Sequence, residues 1–212
     1  MKALIIRELR LAFGSGRAWL PPVFFLLVAT LFPFAVGPDG PLLARTGGGA
    51  LWMAALLAAL LPVERLIEPD RASGVLDQLA LRGHGEEGVA LAKLAGHWLS
   101  FGPPLMLAAL PAAALMKLPP DVLWRLELGL LIGTPALAAL TLAVGALTLG
   151  LSGTSALAGL LMLPLAVPVL IFGAGLMAGD AGGAWKLLAA VALLYVAAAP
   201  FVAGAAIRAA RD

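Results

Sequence analysis

The sequence has no cysteine among its 212 residues, and charged side chains are scarce. The absence of cysteine excludes disulfides, thiolate metal sites and thiol catalysis. Charged residues make up 12% of the chain, whereas a soluble domain carries about 25%. Hydrophobic residues make up 62%, and the mean hydropathy is +1.01. Because lipid is the solvent that suits this composition, we expect an all-α integral membrane protein.

Motifs that carry chemistry are also missing. The sequence has no G-x-x-x-x-G-K-[ST] loop for holding a nucleotide's phosphates. Its two histidines, His84 and His97, have no His, Cys or carboxylate at metal-ligand spacing within a predicted span. The basic residues are dispersed along the chain rather than clustered, which argues against a nucleic-acid partner. We therefore expect no enzyme activity and no firmly bound cofactor or metal.

Six apolar runs are long enough to cross a bilayer, which takes about 20 residues. The predicted spans are residues 19–36, 42–61, 98–116, 126–151, 156–178 and 187–207. Only the segment 62–97 between the second and third spans is long, so residues 1–212 are predicted to form a single membrane domain. The basic segment before the first span is longer than in most signal peptides, and we expect this span to be retained.

Lysine and arginine predict the orientation of these spans. With both termini in the cytoplasm, ten basic residues lie in inside segments and four in outside segments. This excess predicts cytoplasmic termini and places the segment 62–97 in the cytoplasm.

The first residues have the pattern of an amphipathic helix. One face would carry apolar side chains, and Arg7 and Arg10 would lie on the other. The apolar face consists of Ile5, Ile6, Leu9, Ala12 and Phe13. The pattern predicts an interfacial helix on the membrane surface. A disordered basic leader is the alternative.

The segment 62–97 contains a charged, amphipathic stretch, VERLIEPDRASGVLDQL at 63–79. Pro69 interrupts it, and Asp70 or Ser73 can cap a helix that continues to about Leu81. Val75, Leu76 and Leu79 would share one apolar face of that helix. A short helix of this kind can insert into a groove on a cytosolic protein. It could instead rest on lipid, although its acidic residues disfavour an anionic membrane surface.

The whole arrangement resembles the membrane half of an ABC-2 type exporter. The pattern Glu64-Arg65 followed by SGVLDQL at 73–79 is similar to the coupling element with which that family docks on its ATPase. The resemblance implies a set of coupling residues here. They are Glu64, Arg65, Gly74, Val75, Leu76, Asp77 and Leu79.

Several stretches resemble the haem exporter protein B (CcmB) family more narrowly. They are LFP at 31–33, LLAR at 42–45, WMAALL at 52–57, ERL at 64–66, LAK at 91–93, LLIGTP at 130–135 and LPL at 163–165. The resemblance extends from about residue 5 to 207. One departure is RGHGEEG at 82–88, where the resemblance leads us to expect a more apolar loop with proline.

This resemblance implies a permease subunit for haem export in c-type cytochrome biogenesis, in the bacterial inner membrane. A separate ABC ATPase would hydrolyse ATP, and haem or a haem-loaded chaperone would be released on the outer side. The other implied partners are a Trp-rich haem-handling membrane protein and an outer-side haem chaperone. Since six spans are half of the usual exporter, two copies are expected to pair as a homodimer.

His97 is the candidate for contact with haem, through the iron or a propionate. A hydrogen-bonded interfacial histidine is the alternative. The neighbouring Trp98 is interpreted as an aromatic-belt anchor, and so are Trp19, Trp52, Trp124 and Trp185.

Two other functional classes stay open. A secondary transporter would need ion-coupling groups near the middle of the bilayer and usually has inverted repeats. The sequence shows no mid-span acidic residue and no repeat. A non-transporting scaffold for an assembly complex fits the apolar bundle equally well, but it has no need of a coupling helix.

Overall fold

The computed structural model describes residues 1–151, 154–177 and 182–211, and within them nine α-helices form one bundle. They are α1 Lys2–Gly14, α2 Leu20–Val36, α3 Gly40–Leu60, α4 Glu68–Ala72, α5 Val75–Leu81, α6 Glu86–Leu115, α7 Pro120–Leu147, α8 Thr154–Gly175 and α9 Gly182–Ala209. No β-strand occurs in those ranges. The all-α fold predicted from the sequence is confirmed.

Six of these helices are long and apolar enough to cross a membrane: α2, α3, α6, α7, α8 and α9. The chain is therefore a multi-pass membrane protein. The central helix is α7, which is mostly buried and contacts α3, α6, α8 and α9. The peripheral helix is α2, which leaves most of its apolar surface outward and so suits contact with lipid.

Several helix boundaries differ from the predicted spans. The third span was predicted to begin at residue 98, but α6 begins at Glu86. The fourth was predicted to reach residue 151, but α7 ends at Leu147. Apolar length reports only the part of a helix that lipid must cover, and a helix continues beyond it wherever its polar side chains find partners. The predicted end of the fifth span, Ala178, lies outside the described residues.

The connector between α3 and α6 contains two short helices instead of the one predicted to start at Asp70 or Ser73. The first, α4, has Pro69 in its first turn, where a missing N–H costs no hydrogen bond. Gly74 then takes a φ of +70°, a left-handed conformation that favours glycine, and α5 starts at the next residue. The capping prediction was wrong because Gly74 divides the helix.

Trp52 on α3 is a core residue, so its interpretation as an aromatic-belt anchor was wrong. It is 1% exposed and packs against glycines of α7 and α8. A Cβ at Gly133 or Gly173 would lie 2.6 Å or 2.5 Å from its ring. By contrast, Trp19 and Trp124 are 57% and 63% exposed, as an anchor in the interfacial belt requires.

Candidate functional site

The ionisable residues of the molecule concentrate at one end of the bundle, which we call the terminal face. It is formed by α1, the connector with α4 and α5, the start of α6 and the end of α9. Both ends of the described chain lie there. In the described ranges, no three potential metal ligands come together. The terminal face is built from ion pairs and apolar packing.

The apolar side of α5 faces the protein's own interior. Leu76 and Leu79 are buried in a cluster that includes Ile67 of the connector, Leu94 of α6 and Ile207 of α9. Val75 packs at the edge of the same cluster. This was the face expected to insert into a partner's groove. Burying each leucine stabilises the fold by about 1.5–3 kcal/mol. The apolar face of α5 is therefore already covered by this chain's own helices.

The outward side of the connector carries the remaining predicted coupling residues. Glu64 and Arg65 lie in a 3₁₀ turn, and both are exposed. Asp77 is exposed on α5, and Gln78 next to it is exposed as well. The last residue of α5, Leu81, is 88% exposed. The sequence pattern did not predict an exposed leucine at the end of α5, because the apolar periodicity there stops at Leu79.

A network of ion pairs joins α5 to the ends of α6 and α9. Arg211 contacts Asp77 of α5 at 3.0 Å and Glu86 of α6 at 2.7 Å. Arg208 contacts Glu87 at 2.5 Å. These contacts explain the unusual RGHGEEG stretch, because its two glutamates pair with the last arginines of the described chain. The side chains are partly exposed, so the network orients the helices more than it stabilises them.

A second cluster of charges is buried between α1, α4 and α6. Lys93 of α6 is 2% exposed and Asp70 of α4 is 7% exposed. The Lys93 ammonium donates hydrogen bonds to Asp70, to both carboxylate oxygens of Glu8 at 3.4 Å and to the Leu66 carbonyl at 3.1 Å. Its three donors are therefore all used.

Arg7 completes this buried cluster from α1. Its guanidinium holds both oxygens of Asp70, at 2.6 Å and 3.0 Å, and also contacts Glu8 at 2.7 Å. The hydrogen bond to Asp70 raises the pKa of Arg7 above its ordinary value. Such bidentate pairs are directional, so the cluster fixes α1 against the connector. Two bases and two acids balance, which makes their burial tolerable.

The buried cluster was missed in the sequence, although one signal was present. Lys93 is the only charge in VALAKLAGHW at 89–98, and a lone lysine among apolar residues often has a buried partner. The close approach of α1 has a matching signal in Gly96, where a Cβ would lie 2.5 Å from the Cβ of Glu8.

His97, the candidate for haem contact, is buried on α6 beside this cluster. Its ring stacks on Phe101 with centroids 5.7 Å apart and an interplanar angle of 20°. Nε2 has no hydrogen-bond partner in the described structure. The alternative interpretation, a hydrogen-bonded histidine, therefore does not apply to Nε2. Contact between His97 and haem stays a prediction.

Comparisons with known proteins agree with the architecture. Residues 1–210 match the family described as CcmB protein. The chain is similar to the heme exporter protein B of Rhodobacter capsulatus, with 46% identity over 98% of both chains. It is 45% identical to that of Paracoccus denitrificans, again over 98% of both. The protein of the same name from Escherichia coli K12 is 39% identical over 95% of this chain and 94% of its own.

Proposed function

Because this chain belongs to the CcmB protein family, we propose that it is the permease subunit of a haem exporter that serves c-type cytochrome biogenesis. The observation that carries the proposal is the similarity to proteins named heme exporter protein B over nearly the whole length of both partners. Haem, or a haem-loaded chaperone, is its cargo. Six apolar helices supply the membrane pathway that such a subunit needs.

The terminal face is the cytoplasmic side of this permease in a bacterial inner membrane. The arginines and lysines of α1, the connector and the end of α9 support this orientation, since ten of the chain's fourteen basic residues lie in segments at that end. Both termini are then cytoplasmic. Nucleotides and a cytosolic ATPase are available only on this side.

An ABC ATPase subunit docks on the terminal face and supplies the energy. The chain has no phosphate-binding loop of its own. The outward side of the connector offers the partner charges at Glu64, Arg65 and Asp77, and an apolar contact at Leu81. Leu76 and Leu79 act indirectly, because their packing holds α5 in place. Gly74 forms the turn that sets the direction of α5 relative to α4.

The ion pairs give the docked connector a route into the bundle. Force on α5 reaches α6 and α9 through Asp77, Arg211 and Glu86, while α4 pulls on α1 through Asp70 and Arg7. The bidentate pair of Arg7 with Asp70 suits this role because its two hydrogen bonds are directional. The buried cluster and the network at the end of α9 therefore act as the two mechanical links of the permease.

Other subunits complete the exporter. The five tryptophans are scattered over five separate elements, so a separate Trp-rich membrane protein handles haem and an outer-side chaperone receives it. Two copies of this chain pair around an ATPase dimer, because six spans are half of an exporter's membrane portion.

ATP turnover tests the proposal. The purified chain alone should hydrolyse no ATP. The ATPase copurified with it should lose the stimulation it gains from the complex when Leu81→Asp is introduced. For comparison, Leu107→Asp on the outward face of α6, 70% exposed within the predicted span, should lower the amount of chain in the membrane, whereas Leu81→Asp should leave that amount unchanged. ATP turnover by the stringently purified chain, or unchanged stimulation with Leu81→Asp, would contradict the proposed division of labour.

A further inference from the structure

A cavity of about 310 Å³ opens at the terminal face between α1, the connector and α6. One part of its wall is apolar, formed by residues such as Leu11, Pro21 and Phe101. Another part is basic, with Arg17 and Arg65 at its edge and Lys93 at its base. A cavity of this size is at the lower end of the range for small-molecule sites, which is about 300–1,000 Å³.

The charges around this cavity are unbalanced. Arg7 and Lys93 are neutralised by Glu8 and Asp70 within the buried cluster. The other two bases, Arg17 and Arg65, are exposed, and neither forms an ion pair with a residue in ranges 1–151, 154–177 and 182–211. The cavity thus has two spare positive charges beside an apolar wall, which suits a ligand with an anionic head and an apolar body.

A buried polar atom adds an independent indication. His97 lines the cavity and is 6% exposed, yet its Nε2 has no partner in the described structure. A buried ring nitrogen without a hydrogen bond costs free energy, and an oxygen acceptor in the cavity would remove that cost. Phe101, stacked on the imidazole, fixes the plane of the ring.

We propose that the cavity binds one anionic phospholipid. Arg17 and Arg65 hold its phosphate, His97 donates to an oxygen of the glycerol ester region, and the start of an acyl chain lies along Leu11 and Phe101. The site lies beside α1, whose exposed Ile6 and Phe13 suit the boundary of the bilayer. The cytoplasmic leaflet carries the anionic lipids of a membrane. The proposal rests on the cytoplasmic orientation of the terminal face proposed above, and it does not require the ATPase.

Native mass spectrometry of the full chain in neutral detergent tests it, with phosphatidylglycerol and phosphatidylcholine titrated separately. One phosphatidylglycerol per chain should bind about tenfold more tightly than phosphatidylcholine, since each nearby arginine strengthens the attraction. The double variant R17Q/R65Q should lose this preference. The matched control R10Q/R82Q, with two exposed arginines that do not line the cavity, should keep it. All four positions are exposed, so folding is preserved in both variants.

A cysteine at Ala12, on the cavity wall, locates the bound lipid in this cysteine-free chain. Phosphatidylglycerol should protect it from a maleimide, and R17Q/R65Q should abolish the protection. Equal binding of both lipids, or an equal loss with the control variant, overturns the proposal. Protection of Ala12→Cys by glycerol phosphate to the same extent as by phosphatidylglycerol also overturns the proposal. Haem that displaces phosphatidylglycerol and depends on Arg17 and Arg65 would also overturn it, because the site would then belong to the cargo.

Discussion

Trp52 determines how closely three helices approach one another. Its indole on α3 lies against Gly129 and Gly133 of α7 and against Gly173 of α8. Without a Cβ at these positions, the helix backbones come near enough to enclose the ring. Small residues at helix contacts are a usual means of packing in lipid, where apolar burial gives little driving force.

Gly173→Ala should therefore destabilise the bundle by about 1–3 kcal/mol, the usual cost of overpacking. Its new Cβ would lie 2.5 Å from the rigid indole, with no flexible side chain to yield. The matched control is Gly159→Ala on the same helix, where no atom lies within 4 Å. Thermal unfolding in detergent should show a lower midpoint for the first variant and an unchanged or higher one for the second. Equal midpoints would mean that the space between Gly173 and the Trp52 indole can accommodate an added methyl group.

The buried cluster of Arg7, Glu8, Asp70 and Lys93 holds α1 against α4 and α6. Lys93→Met should leave the Asp70 and Glu8 carboxylates with one cation, at a cost of about 3 kcal/mol. Hydrogen exchange across Lys2–Gly14 should accelerate, while the amides of α7 should keep their protection. Arg71→Gln is the control, because it breaks a pair with Glu68 whose side chains are 40% and 43% exposed. Such pairs contribute about 0–1 kcal/mol. Protection of α1 that survives Lys93→Met would remove the cluster's proposed role.

The spans were predictable because a long apolar run has few alternatives to a membrane helix. Their ends were less predictable, because α6 extends back to Glu86. There its polar side chains pair with Arg211, and hydropathy alone does not report such contacts. The existence of α5 was also predictable from the spacing of Val75, Leu76 and Leu79. The direction in which that face points was not predictable, because inward and outward packing produce the same periodicity.

The contacts that build the candidate site join residues far apart in the chain. Arg7, Asp70 and Lys93 meet only once α1, α4 and α6 are in place. Similarly, the enclosure of Trp52 depends on glycines of two later helices. Sequence spacing within one helix cannot reveal such contacts, and only the isolated Lys93 and the small Gly96 hinted at them.

For the whole molecule, the proposed exporter contains two copies of this chain. Six candidate spans per chain would supply half of its membrane portion. Native mass spectrometry of the complex should find two copies for each ATPase dimer. One copy for each ATPase dimer would mean that a different membrane protein supplies the other half.

Crosslinking from α5 tests the docking of the terminal face on an ATPase most directly. Because the chain has no cysteine, Gln78→Cys gives one reactive site on the outward side of α5, and Asp121→Cys gives an exposed control at the start of α7. We predict crosslinks to the copurified ATPase from Gln78→Cys, their loss when Leu81→Asp is added, and none from Asp121→Cys. The amount of chain in the membrane should stay the same in all three. A complex that forms while Gln78→Cys never reaches the ATPase, or reaches it no more than Asp121→Cys does, would contradict the account.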